Sequence, residues 1–227
     1  MNKNAVQILE EYWREHPAWF GRPYGEYLHL GANQEMLRIM LRDVPLGPET
    51  RALDVSCGLG GNARWLASLY GATVDGVDRF KPAIVAARQL AKAQLVGASC
   101  TFHVQEGHDL PFPEGRFDLA LTSEDEVAWP DVARVVKRGG HVVGSQIALS
   151  GVRALERSLA QVGLATVKLI DVTAYARAFY EAKEKEARLL VDAELMSPND
   201  LQSLQMYTVD LYSTAGAQHA LFLLEKR

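Results

Sequence analysis

The chain has 227 residues, a formal net charge of −4, and 24 Lys and Arg against 28 Asp and Glu, so it is long enough to bury a core and carries no basic cluster to follow a phosphate backbone. Nucleic acid is a poor candidate partner on that ground. No apolar run reaches membrane-spanning length, Met1-Asn2-Lys3-Asn4 lacks a signal-peptide core, and the two cysteines, Cys57 and Cys100, each sit beside an apolar strand pattern, so a soluble, cytoplasmic protein with buried reduced thiols is expected.

Apolar positions Val6, Leu9, Tyr12 and Trp13 have helical spacing, and Pro17, Gly21, Pro23 and Gly25 then break it, which predicts an amphipathic helix running into a rigid loop. The loop, Tyr24 to Gly31, contains Tyr27 and His29. Its aromatic residues either pack on the body of the protein or form a flap that excludes water from a reaction. A helical pattern at Met36, Ile39 and Met40 follows.

Ala52 to Val55 reads as a strand, three glycines (Gly58, Gly60, Gly61) as a tight turn, and Ala63, Leu66, Ala67 and Tyr70 as a helix face. Glycine lets a backbone turn sharply and approach a ligand. A second strand, Thr73 to Val77, ends in Asp78, placed where a carboxylate accepts hydrogen bonds from both ribose hydroxyls. The unit is therefore read as a nucleoside holder. No second glycine unit for a nicotinamide half follows, so a dinucleotide is disfavoured.

Lys81-Pro82 opens a helix with a stripe at Ile84, Ala87, Ala91 and Leu95, and Cys100 to Val104 is a third strand. In an open parallel sheet, ligands lie outside the carboxyl ends of the strands, which places Glu106, Gly107 and His108 around an adenine. Otherwise Glu106 is a solvated loop carboxylate. Phe117 to Thr122 is a fourth strand, followed by Glu124, Asp125 and Glu126, either the exposed acidic start of a helix near Asp131 to Val136 or the lining of an acceptor site. Lys137 to Gly140 predicts a turn into a fifth strand, His141 to Ile147, with His141 structural. A helix with stripe Val152, Leu155, Leu159 and Val162 closes at Gly163, and Leu164 to Val172 is a sixth strand. Glu181 to Arg188 reads as a solvated helix face, Ser197 to Asp200 as a helix cap, and His219 to Glu225 as the final strand.

The stretch Asp54-Val-Ser-Cys-Gly-Leu-Gly60 resembles the acidic-x-Gly-x-Gly-x-Gly signature of class I S-adenosylmethionine methyltransferases, with Ser56 in place of the first glycine. Leu110 to Asp118 is similar to the "LPFpdgsFD" stretch of their small-molecule branch, which includes glycine/sarcosine N-methyltransferases and ubiquinone-biosynthesis enzymes. Arg134 to Gly140 is similar to its "RVLKPGG", and Tyr27 to Gly31 to its "hIHxG" segment. Two features depart from that pattern: Trp129 stands near the usual His, and the segment after the fifth strand is short.

The resemblance implies an α/β fold: a single Rossmann-like methyltransferase domain with a mostly parallel seven-stranded sheet, helices on both faces and an antiparallel last strand. Within residues 1–227, residues 1–45 would form N-terminal helices and flap, 46–150 the cofactor-binding core, and 151–227 a C-terminal part whose helices at 174–212 cover the substrate. Cofactor residues would be Asp54, Ser56, Gly58, Gly60, Asp78, Arg79, Glu106, Gly107, His108, Thr122 and Tyr27. His29, Glu124 and Asp125 are the catalytic candidates, and no metal is expected. The expected reaction takes S-adenosyl-L-methionine to S-adenosyl-L-homocysteine and methylates a small molecule, nitrogen being favoured over oxygen because an acidic pocket suits an amine. The alternative is a non-catalytic cofactor-binding regulatory module. A monomer or homodimer, with no membrane or nucleic-acid partner, is expected in either case.

Overall fold

The structure is a computed structural model that describes residues 3–15, 34–122, 127–205 and 217–227. Two helices, α1 (Ala5–Glu15) and α2 (Gln34–Met40), precede β1 (Arg51–Val55), α3 (Gly61–Tyr70), β2 (Thr73–Asp78), α4 (Lys81–Ala93), β3 (Cys100–Val104) and β4 (Phe117–Thr122). Then follow α5 (Trp129–Val135), β5 (Val136–Ala148), α6 (Val152–Gln161), β6 (Leu164–Asp171), α7 (Thr173–Asp192), α8 (Pro198–Gln205) and β7 (Gln218–Lys226). The seven strands form one sheet in the order β3-β2-β1-β4-β5-β7-β6. Only β7 is antiparallel to its neighbours, so the expected architecture holds.

Strands β1, β2 and β4 are apolar on both faces because both faces are covered. Ala52, Val74, Leu119, Leu121 and Val143 pack under α2, α3 and α4, while Leu53, Val55, Val77, Ala120 and Val142 pack against α5 and α6. Strand order reverses at β1, which has β2 on one side and β4 on the other. The carboxyl ends of these strands therefore open a crevice at a topological switch point.

Four details differ from the sequence reading. Leu95 is 92% exposed and lies beyond α4 at φ 61; Leu90 fills the core in its place. The helix has already ended, so its period no longer applies. In α1, Val6 is 67% exposed, and Ile8 and Tyr12 supply the face that packs on Ala83, Ala86 and Leu90 of α4. The turn at Lys137 to Gly140 is a bulge inside a longer β5, since Phe117 pairs with Val136 but Leu119 pairs with His141. Helix α5 starts at Trp129, earlier than expected, with Pro130 in its first turn. The cap before α8 is as read: Ser197 Oγ accepts the Asp200 N–H at 3.2 Å.

One glycine outside the turn controls how closely two strands meet. A Cβ on Gly144 would lie 2.2 Å from the Thr122 carbonyl oxygen, and a rigid backbone atom cannot withdraw as a flexible side chain can. Gly144→Ala is therefore expected to lower stability by about 3 kcal/mol, at the upper end of overpacking costs. Urea denaturation checks it; an unchanged midpoint would mean that β4 and β5 pair less tightly than described.

Candidate functional site

The site begins where β1 runs out. Ser56 turns the chain with φ 58, in the left-handed region that glycine prefers, which explains why the resembling signature has glycine there. Cys57 donates its N–H to the Val77 carbonyl at 2.9 Å, and Gly60 donates to the Cys57 carbonyl at 2.8 Å, folding the turn back toward β2. Gly60, at φ 72, then starts α3. It could hold no side chain, because a Cβ would lie 2.5 Å from the Phe102 ring. Packing by β3, as well as chain reversal, thus requires that glycine.

Asp78, at the tip of β2, is 9% exposed. Its carboxylate accepts the Gly58 N–H and the Phe80 N–H, each at 2.8 Å. Each carboxylate oxygen carries two lone pairs, the acceptor capacity that recognition of hydroxyl donors requires. Asp54 lies deeper, 3% exposed, with its Oδ2 unbonded. Burial pushes its carboxyl up to about 7; the Ala63 N–H it accepts at the start of α3 opposes that rise, and the nearby Asp78 charge adds to it. Burial likewise drives the Cys57 thiol well above its ordinary value, with Asp54 and Asp78 adding to the effect.

The neighbouring loop is fixed from two sides. Gln105 donates its N–H to the Asp78 carbonyl at 3.0 Å, bringing the chain after β3 alongside the β2 tip. Arg134 of α5 donates to the Phe112 and Leu110 carbonyls at 2.7 and 2.8 Å, while Asp131 accepts the Asp109 N–H at 2.6 Å. Those bonds give the Leu110 to Asp118 and Arg134 to Gly140 stretches a common structural role. Glu106 and His108 are exposed and Gly107 partly buried beside this loop; Arg79 is exposed. Thr122, at the tip of β4, is buried with its Oγ1 unbonded.

Asp54, Ser56, Gly58, Gly60, Asp78 and the start of the Glu106 loop are thus gathered at the carboxyl edge of β1, β2 and β3. Tyr27, His29, Glu124 and Asp125 lie outside the described residues. Tyr12 is a site neighbour that the sequence reading assigned only to a packing stripe. It is 7% exposed, and its phenol is pushed up to about 12 by burial and then by the Asp78 charge. A helical stripe could not show that one member faces a carboxylate 66 residues later in the chain. Among the described residues, no group of three or more His, Cys, Asp or Glu side chains forms a metal site, and no helix is long and apolar enough to cross a membrane.

Residues 52–144 match the family described as "Methyltransferase domain". Over 87 residues, covering 38% of this chain and 25% of the relative, the sequence is 38% identical to the chloroplastic tocopherol O-methyltransferase of Arabidopsis thaliana. Over 100 residues, 44% of this chain and 36% of the relative, it is 32% identical to a sarcosine/dimethylglycine N-methyltransferase of Halorhodospira halochloris. The chain spans less than half the length of either. A crystal structure from Galdieria sulphuraria, provisionally identified as a sarcosine dimethylglycine methyltransferase, superposes with a TM-score of 0.80 over 96% of this chain and 98% of its own, at 14% identity. That likeness establishes the fold.

A carboxyl that holds its proton to about pH 7 when folded but ionises near 4 when unfolded makes the folded state bind more protons in that window. Stability from this group is full below about pH 4 and is lost as pH rises through about 7. Asp54→Asn keeps an acceptor for Ala63 and removes the titration. Its stability relative to the parent, followed by urea midpoints, should rise from pH 4 to about 7 and level off above it; a constant difference would show that Asp54 ionises normally.

Proposed function

We propose that this chain, a class I S-adenosylmethionine-dependent methyltransferase by its fold and its matched domain, transfers a methyl group from that cofactor to a small-molecule acceptor. One observation carries the reading: Asp78, the Gly58 to Gly61 turn and the unbonded Asp54 Oδ2 meet at the carboxyl ends of β1 and β2, beside the switch point. A carboxylate for ribose hydroxyls, a side-chain-free turn and a buried polar atom suit a nucleoside bearing an amino-acid tail.

In this reading Asp78 accepts the ribose hydroxyls, and the Ser56 to Gly61 turn takes the methionine end. Glu106, Gly107 and His108 border the adenine, with Arg79, Thr122 and Tyr27 completing the surround. When bound, the cofactor supplies an already activated sulfonium methyl. The protein's task is then to hold the acceptor in line, about 3 to 3.5 Å away, and to exclude water, which supplies most of the acceleration. Glu124 and Asp125 follow Thr122 after one intervening residue, Ser123, so acidic groups would flank the acceptor and, with His29, take its proton. That charge favours a nitrogen acceptor over a carboxylate, with a phenolic or similar oxygen next. Relatives are named for both chemistries. A single domain working in a reducing compartment accords with the two buried free thiols.

A second reading, a module that binds the cofactor without transfer, is favoured by Ser56 at a glycine conformation and by an α5 of only seven residues. Incubation with labelled S-adenosylmethionine and a panel of amines, phenols and carboxylates separates the two. Labelled product from an amine or phenol supports transfer. Retained cofactor affinity with no product across the panel supports the module.

For the cofactor itself, Asp78→Ala is expected to weaken S-adenosylhomocysteine binding by about ten- to a hundred-fold, the loss of a charge-assisted pair of hydrogen bonds. Calorimetry measures it. Parental affinity in the variant, or tighter binding of NAD than of S-adenosylhomocysteine by the parent, would overturn the cofactor assignment.

A further inference from the structure

Two polar atoms stand unbonded near the end of β4. Thr122 is 3% exposed, and its Oγ1 has neither solvent nor a hydrogen-bond partner. The Gln146 Oε1 on β5 is closed off and unbonded in the same way. Register brings the two together. Thr122 pairs with Gly144, and Gln146, two residues further along β5, projects from the same face beyond the last residue of β4. The position between them carries no side chain, and a Cβ there would lie 2.3 Å from the Thr122 Oγ1. Phe222, paired with Gly144, shares that face and meets the partly buried Trp129 ring edge-on at 5.6 Å.

Buried polar atoms are ordinarily satisfied, because an unmade hydrogen bond leaves the cost of removing them from water unreturned. Two such atoms on one face, at the edge where an open sheet binds ligands, form a built polar site beside the partly buried Trp129 ring. The geometry points to Gln146, with Thr122, as the pair that recognises the methyl acceptor. The acceptor is then a compound that donates an N–H or O–H to the Gln146 oxygen and lies against the partly exposed Trp129 ring. A fully substituted amine or an ether has no hydrogen to give and is refused. Such refusal is strong when the site's own polar group would be left unpaired. This inference rests on the transfer reading above and names the acceptor chemistry for the same site.

The test compares the full-length parent with Gln146→Met. Without ligand, the urea midpoint of Gln146→Met should equal or exceed the parental one, since an apolar side chain of similar length replaces an unsatisfied amide. With S-adenosylmethionine and the best-labelled acceptor of the panel, kcat/KM should fall about ten- to a hundred-fold in Gln146→Met, mostly through KM, while S-adenosylhomocysteine affinity stays within about twofold. A lowered midpoint would reveal a structural hydrogen bond and overturn the proposal, as would a parental kcat/KM. If the parent labels no acceptor, the transfer reading fails, and the polar site is decided by binding alone. Magnetic resonance titration would then compare phenol and benzylamine with anisole and N,N-dimethylbenzylamine. A parental preference for the donor-bearing probes that Gln146→Met abolishes supports the site; equal binding of both kinds by the parent overturns it.

Discussion

The Phe102 ring fills the space that a Cβ on Gly60 or Gly76 would need, at 2.5 and 2.7 Å respectively. Much of the site depends on that close packing. With the ring seated between the turn and β2, α3 lies low over the sheet, and the Gly58 N–H comes within 2.8 Å of Asp78. The same closeness buries Asp54 beneath the turn and shields its carboxyl from water. A larger residue at either glycine would lift the helix, lengthen the bond to Asp78 and open Asp54 to solvent together. Core packing and ligand geometry are one constraint here.

A second constraint runs around the rim. Arg134 on α5 has two carbonyls of the Leu110 to Phe112 loop as acceptors, and Asp131 holds the Asp109 N–H. The loop therefore cannot move independently of α5, whose first residue, Trp129, rests on Phe222 of β7. A chain of short contacts thus joins the loop beside Asp78 to the far half of the sheet. The two halves of the crevice, one beside β2 and β3 and the other beside β4 and β5, share a rigid boundary.

Much of this was legible in the residues. The apolar runs of β1 and β2, the glycine turn, Asp78 at a strand end and the cap at Ser197 follow local rules of backbone geometry and hydrogen bonding, which act over a few residues. What escaped was set by contacts distant in sequence. Leu95 fits the α4 period, yet the helix stops before it and only the folded chain shows that Leu90 takes the core position. Tyr12 fits a packing stripe, and nothing near it in sequence announces Asp78. Gln146 sits in a strand as a polar residue among apolar ones, a visible signal, but its meaning depends on β4 ending at Thr122 beside it. Ser56 was read as a substitution in a signature; its left-handed φ shows that the backbone kept the glycine conformation when the residue changed.

The buried Cys57 thiol has a consequence for the methyl transfer proposed above, whose donor is electrophilic. A thiolate is a strong nucleophile, whereas a thiol is a poor one. Cys57 lies within the turn proposed to cradle the methionine end, but burial and two neighbouring carboxyl groups hold its proton in place. Cys57 is also only 8% exposed, with the Gly58 carbonyl as a weak acceptor of its S–H at 3.9 Å. The chain therefore keeps a soft, space-filling sulfur at its glycine turn without offering a target for self-methylation, and the same environment spares that sulfur from alkylating reagents and peroxide.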